Sequence, residues 1–155
     1  MTRSVRLDSD EAWTVLEHAH TGILTSLRRD GTPISLPVWF VVLDRRIYVS
    51  GPARGKKFAR VRNDPRVAFL VESGERWADL VAVHLTGRAD IVTNVSQLAR
   101  VATELDAKYA GFRTPRQEMP EVVRAHYDTG SATLELVPDE RMLSWDNARL
   151  FEADE

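Results

Sequence analysis

No cysteine occurs anywhere in the chain, which excludes disulfides, thiolate metal sites and a cysteine nucleophile. No apolar run approaches the roughly 20 residues of a membrane span. The opening stretch from Met1 to Asp8 has no apolar segment of the length a signal peptide needs. A surplus of one charge is also missing: the formal net charge is −2, whereas a nucleic-acid binder usually carries a strongly basic face. These absences point to a cytoplasmic protein with neither nucleic acid nor membrane as partner. Internal repeats, low-complexity tracts and linkers are lacking too. The 155 residues therefore read as one domain over 1–155, large enough to bury roughly 70% of the surface of its unfolded chain.

What is present is a run of strand signals with a few helices. Asp8 with Glu11 three residues on predicts a capping box, and Trp13 and Leu16 give the helix behind it one apolar face. Strands are predicted at 21–27, 33–43 and 46–50. Arg29-Asp30-Gly31 and Leu43-Asp44-Arg45 supply the turns between them. A short helix over 56–63 ends at Asp64-Pro65, because the residue before proline avoids helical geometry. Strands at 67–72 and 80–90 follow, with Ser73-Gly74-Glu75 as their turn. A helix over 96–109 carries Leu98, Val101, Ala102 and Leu105 on one side. After a loop rich in Gly, Pro and Arg come one or two helical turns at 121–126. A last hairpin is predicted, with strands 131–137 and 141–145 around Pro138-Asp139. About seven strands in consecutive runs, with three or four helices, predict an antiparallel barrel with packed helices.

The segment from Ile47 to Arg60 carries the chemistry: a strand, a loop bracketed by Gly51 and Gly55, then a helix that starts with cations. A helix N-terminus already presents unpaired N–H groups and partial positive charge. Lys56 and Lys57 there cost stability unless an anion is bound, which suggests a phosphate site. Gly51 and Gly55 would let the backbone approach the anion, and Ser50 would add a hydroxyl. The same spacing also suits a solvated basic helix face. Three charge-assisted hydrogen bonds, at about 1.5–3 kcal/mol each, barely match an association cost of about 4–15 kcal/mol. A buried ring system elsewhere must supply the rest.

Gly22-Ile23-Leu24-Thr25-Ser26-Leu27, Asp30-Gly31-Thr32-Pro33, Val38-Trp39-Phe40 and Ile47-Tyr48-Val49-Ser50 together resemble pyridoxamine-phosphate-oxidase-like proteins. The similarity is sharpest from Lys57 to Val67, around Asp64-Pro65-Arg66. Ser144-Trp145-Asp146 narrows it to the flavin/deazaflavin oxidoreductases of group B. Arg60 and Asn63 depart from the family pattern, while Lys57 keeps it. The resemblance implies a homodimeric, mainly β split barrel with packed helices and the cofactor between subunits. It places Ser50, Arg54, Lys56 and Lys57 around a phosphate and Pro37, Val38 and Trp39 along the ring. Trp77 and Trp145 would reach the site from the partner subunit. The cofactor it implies is coenzyme F420, a deazaflavin, with FMN as the alternative. Arg60, Arg113 and Arg116 count as further cations suited to the longer anionic tail of F420, and Lys108 and Tyr109 with Gly111, Arg113, Pro115 and Arg116 read equally as a loop over the cofactor or as an exposed connector. The implied activity is hydride transfer to a small electron-poor organic substrate, with no catalytic residue assigned. The other reading is a non-catalytic carrier of deazaflavin, flavin or haem, with His84 the only feature that favours haem. His84 itself reads first as a structural histidine with a satisfied ring. His18 and His20, two apart, point to different faces and are not expected to ligate a metal together.

Overall fold

A computed structural model describes residues 4–152. The first helix, α1 (Ser9–His18), begins at the capping box: Asp8 Oδ1 accepts from the Glu11 N–H at 2.9 Å, and the Asp8 N–H donates to Glu11 Oε2 at 2.8 Å. Seven strands follow: β1 (Gly22–Leu27), β2 (Pro33–Val38), β3 (Val41–Leu43), β4 (Arg46–Pro52), β5 (Arg66–Ser73), β6 (Val81–Ile91) and β7 (Ser131–Asp146). Helices α2 (Lys56–Asn63), α3 (Val95–Tyr109) and α4 (Glu121–Tyr127) are set between them. No helix of the described residues is long and apolar enough to cross a membrane.

All seven strands belong to one antiparallel sheet of order β2-β1-β5-β6-β7-β4-β3. Its two edges, β2 and β3, are consecutive in the chain and separated by Trp39 and Phe40 alone. Val38 and Val41 are three Cα steps apart, at most about 11 Å. A flat sheet of this order would hold its edges roughly 29 Å apart. The sheet therefore curls until its edges nearly meet at the Trp39–Phe40 crossover, which makes a split barrel. The prediction of one strand over 33–43 is corrected here: the chain leaves one edge of the sheet at Val38 and joins the other at Val41.

β3 is short and pairs with β4 only as far as Val41↔Tyr48. Beyond that point Val49–Pro52 pair with β7 on one side and with no strand of the described residues on the other. β2 pairs with β1 alone. The seam of the barrel is thus bounded by two free strand edges with unpaired N–H and C=O groups.

The barrel interior is filled by Leu24, Phe69, Val83, Leu85, Leu134 and Leu136, against Trp13 and Leu16 from α1 and Phe58 and Val61 from α2. Phe58 is completely buried, so it anchors the start of α2 with the roughly 1.5–3 kcal/mol of a large apolar side chain. Helix α3 lies outside, where Val101, Leu105 and Tyr109 pack on Val41 and Tyr48.

The predicted hairpin at Pro138-Asp139 is also corrected. β7 runs on through both residues, and its pairing with β6 shifts register between Leu85 and Gly87. A Cβ on Gly87 would lie 2.3 Å from the Val137 carbonyl oxygen. The close approach needs glycine, and the irregularity accommodates a proline that cannot donate to the ladder. Thr86 Oγ1 donates to Asp139 Oδ2 at 2.6 Å and holds the bend.

Candidate cofactor site

The turn between β4 and α2 is tied down by main-chain bonds. The Ala53 N–H donates to the Gly130 carbonyl at 3.0 Å, and the Gly55 N–H to the Pro52 carbonyl at 2.8 Å. Gly55 is the N-cap of α2 and supplies no capping side chain, and the first turn holds no acid. Lys56 and Arg54 are exposed. Lys57 is partly buried and folds back over β4. Its ammonium has no carboxylate or hydrogen-bond partner among the described residues and lies 5.2 Å from the Phe58 ring centroid. Burial, and then the charge of Arg60, lower its pKa from the ordinary lysine value. An unpaired, desolvated cation at an uncapped helix N-terminus is a fit for an anion, which would answer all three unfavourable terms.

The glycines act through space here, not through special backbone angles. Gly55 has φ −58, and Gly51 is not among the positive-φ residues. A Cβ on Gly51 would meet Lys57 Nζ at 2.8 Å, so Gly51 makes room for the ammonium. Ser50 Oγ lies 2.6 Å from Thr133 Oγ1, an intrachain bond that its predicted phosphate contact would have to share.

The other predicted cations are engaged. Arg60 Nε donates to Ser26 Oγ at 2.8 Å, which pins α2 to β1 through a hydroxyl that is only 1% exposed. Arg113 pairs with Asp106 at 3.1 Å and Arg116 with Asp128 at 2.7 Å. The cations at the turn left without a carboxylate among the described residues are Arg54, Lys56 and Lys57. The Asp64-Pro65-Arg66 motif closes on itself. Asp64 accepts from the Arg66 N–H at 3.1 Å and from its guanidinium at 2.7 Å and 3.1 Å. These bonds hold its carboxyl at a pKa of about 2. The motif fastens the end of α2 to β5 and touches no part of the turn at Lys57.

Pro37, Val38 and Trp39 close the free edge of β2 at the crossover. Trp39 does not stand open on both faces: its ring stacks on Tyr109, with centroids 4.3 Å apart and planes 3° apart. Lys108 and Tyr109, read from the sequence as the start of a loop over the cofactor or of an exposed connector, are instead the last two residues of α3 and pack on the crossover at Trp39 and Phe40. Trp77 and Trp145 are not brought to the turn within one chain. Gly51 pairs with Ala132 and Ala82 with Trp145, at opposite ends of β7. That separation is roughly 40 Å along the strand. Trp77 is exposed and meets Phe151 edge-on.

His84 is corrected as well. It sits on the outer face of β6 between Leu70 and Leu143, without a hydrogen-bond partner among the described residues. His18 Nδ1 lies 2.8 Å from the Thr14 carbonyl, and His20 meets Trp39, Tyr109 and Phe112 edge-on. Near His20 is an open cavity of about 570 Å³ walled by Val15, Ile23, Leu70 and Val81 together with His18 and Glu72.

The fold has counterparts among solved structures. The conserved hypothetical protein Rv2991 from Mycobacterium tuberculosis is 26% identical with a TM-score of 0.80, over 100% of this chain and 94% of that one. A FAD-binding protein from Mesorhizobium loti shares 20% identity at TM-score 0.67, over 89% and 93% of the two chains. HutZ, the haem storage protein from Vibrio cholerae, shares 13% at TM-score 0.67, over 88% and 94%. No curated protein matches the chain. The pyridoxamine 5'-phosphate oxidase family model matches residues 9–139. That span includes both edges of the seam and the whole turn at Lys57, so the chain belongs to the pyridoxamine 5'-phosphate oxidase family.

Proposed function

We propose that the protein is an oxidoreductase that holds coenzyme F420 by its anionic tail at the β4–α2 turn, with the ring along the seam. The observation that carries this is Lys57, a partly buried ammonium without a counter-charge among the described residues. Arg54 and Lys56 beside it, and the uncapped N–H groups of α2, add donors to the same spot. The free edges of β2 and of Val49–Pro52 offer backbone groups to the polar rim of a ring, while Pro37 and Val38 offer an apolar surface. When bound, the reduced cofactor supplies the hydride, and the chain binds, orients and excludes water. The cavity beside His20 is within the size range of small-molecule sites and would admit a small electron-poor acceptor. The choice of deazaflavin rests on the group B resemblance of Ser144-Trp145-Asp146.

A second copy of the chain completes this reading. Pro37, Ile23, Leu70, His84 and Leu143 lie in register across the outer face of the sheet. Leu143 on this face is 65% exposed, which supports burial of the face in a homodimer. Trp145 shares the face and would then stand against the partner's seam.

FMN is the second reading, and one observation favours it. With Arg113 and Arg116 matched by Asp106 and Asp128, the free cations at the turn suffice for a single phosphate. Titration with F420, FMN and riboflavin, read by tryptophan quenching, tests both. F420 is expected to bind most tightly and riboflavin most weakly. Lys57→Ala is expected to weaken F420 and FMN by about 1.5–3 kcal/mol and to leave riboflavin unchanged. Preference for FMN selects the second reading, and equal affinity of wild type and Lys57→Ala for the phosphorylated ligands rejects the site. Turnover with reduced F420 and a panel of enones and quinones separates an enzyme from a carrier.

A further inference from the structure

Helix α3 reaches the seam with its last turn and takes hold of both crossover residues. Tyr109 is completely buried, with its ring parallel to that of Trp39. Its hydroxyl accepts the Phe40 N–H at 2.9 Å and lies 2.8 Å from the His20 carbonyl and 3.0 Å from the Phe40 carbonyl, with its one proton for the two. Lys108 Nζ donates to the same Phe40 carbonyl at 2.9 Å and sits 3.9 Å from the centroid of the Phe40 ring. No carboxylate pairs with this ammonium among the described residues. Trp39 is thus gripped by its ring and Phe40 by its main chain, both from an element about 70 residues further along. The crossover is the only covalent link between the two edges of the curled sheet, so its conformation sets how far the seam opens.

We infer that Tyr109 is a positioning residue: with Lys108 it clamps the Trp39–Phe40 crossover and holds the seam at the width the cofactor ring requires. The inference rests on the reading above for where the ring lies. Loss of the hydroxyl leaves the Phe40 N–H buried without its partner. A loosened crossover then has conformations to give up on binding, so affinity falls although no ligand contact is removed. The penalty belongs to the ring end of the ligand, in contrast to Lys57, whose penalty belongs to the tail.

The test is a calorimetric titration of the full-length protein and its Tyr109→Phe and Lys108→Met variants with F420, FMN and riboflavin. It is paired with amide deuterium exchange at temperatures where each variant is folded. Tyr109→Phe keeps the stack on Trp39 and is expected to weaken all ligands that wild type binds by about tenfold, the scale of one hydrogen bond. Riboflavin is expected to lose as much as FMN. Exchange is expected to quicken at Phe40 and not across the sheet, which a general loss of stability would produce. If Tyr109→Phe does not fold, Lys108→Met, which leaves the hydroxyl in place, is expected to show the same ligand pattern more weakly. Wild-type affinity in the folded variants overturns the clamp while leaving the cofactor reading intact. Wild type that binds none of the three ligands overturns the cofactor reading, and the clamp's purpose with it.

Discussion

The ammonium of Lys57 lies so close above Gly51 that a Cβ on the glycine would stand 2.8 Å from Nζ and 3.2 Å from Cε. Residue 51 is therefore a mould for a cation on the next element. Gly51→Ala displaces only the far end of a flexible side chain, so its cost in stability is expected to stay within about 0.5 kcal/mol. Affinity for F420 or FMN is expected to fall, though by less than in Lys57→Ala, because the ammonium is displaced and not removed. Thermal unfolding and titration on the same sample check both halves, and an alanine variant that binds normally removes the glycine from the site.

Lys57 works against the fold that carries it. Its burial, the charge of Arg60 and the start of α2 all disfavour the ammonium. Lys57→Met keeps the length and removes the charge, and is expected to stabilise the ligand-free protein by about 0.5–2 kcal/mol while F420 and FMN bind more weakly, by about 1.5–3 kcal/mol as in Lys57→Ala. For a chain of this size that is a rise in Tm of roughly 2–4 °C per kcal/mol. A variant less stable than wild type contradicts the picture of an unanswered charge.

Burial lowers the pKa of Lys108 to about 8. In the unfolded chain the same group titrates near its ordinary value of 10.5. Between these two values the unfolded state holds more protons, so stability rises with pH. The folded state bears the cost of the buried charge below about pH 8, and that cost fades as pH climbs. Urea unfolding of wild type and Lys108→Met between about pH 7.5 and 9.5 checks the sign. Wild type is expected to gain stability relative to the variant across the window, and parallel curves refute it.

The β3–β4 turn is built without glycine although both its central residues are left-handed, Asp44 at φ 53 and Arg45 at φ 56. Each is tethered by an ion pair, Asp44 to Arg100 at 2.9 Å and Arg45 to Asp10. Left-handed backbone costs a side-chain-bearing residue about 1–2 kcal/mol, while an exposed ion pair returns about 0.2–1 kcal/mol. Arg45→Gly is therefore expected to stabilise the protein by about 0.5–1 kcal/mol in chemical denaturation. A loss of stability shows that the pair with Asp10 outweighs the strain.

Much of the local structure was legible from neighbouring residues. The capping box at Asp8 and Glu11, the span of α2 and the turns at Gly31 and Gly74 depend on groups within a few positions of one another, and the structure has them as read. The concentration of cations ahead of Phe58 was visible for the same reason. The fate of each charge was not. Whether a cation is free or matched depends on where the fold brings the carboxylates, and Asp106 and Asp128 take Arg113 and Arg116.

The amino-acid sequence alone determined the strand-rich pattern, the helix starts and the basic turn, because capping, turn angles and periodicity are short-range effects. Tertiary structure alone decided that the chain crosses the seam at Trp39 and Phe40, that β7 continues through an irregularity at Pro138 instead of turning back, and that Tyr109 stacks on Trp39. Each of these rests on a contact between segments tens of residues apart: the closing of the sheet edges, the approach of Val137 to Gly87, and the docking of α3 on β3 and β4. No local preference encodes such contacts, since they exist only once the barrel has curled and its core has packed.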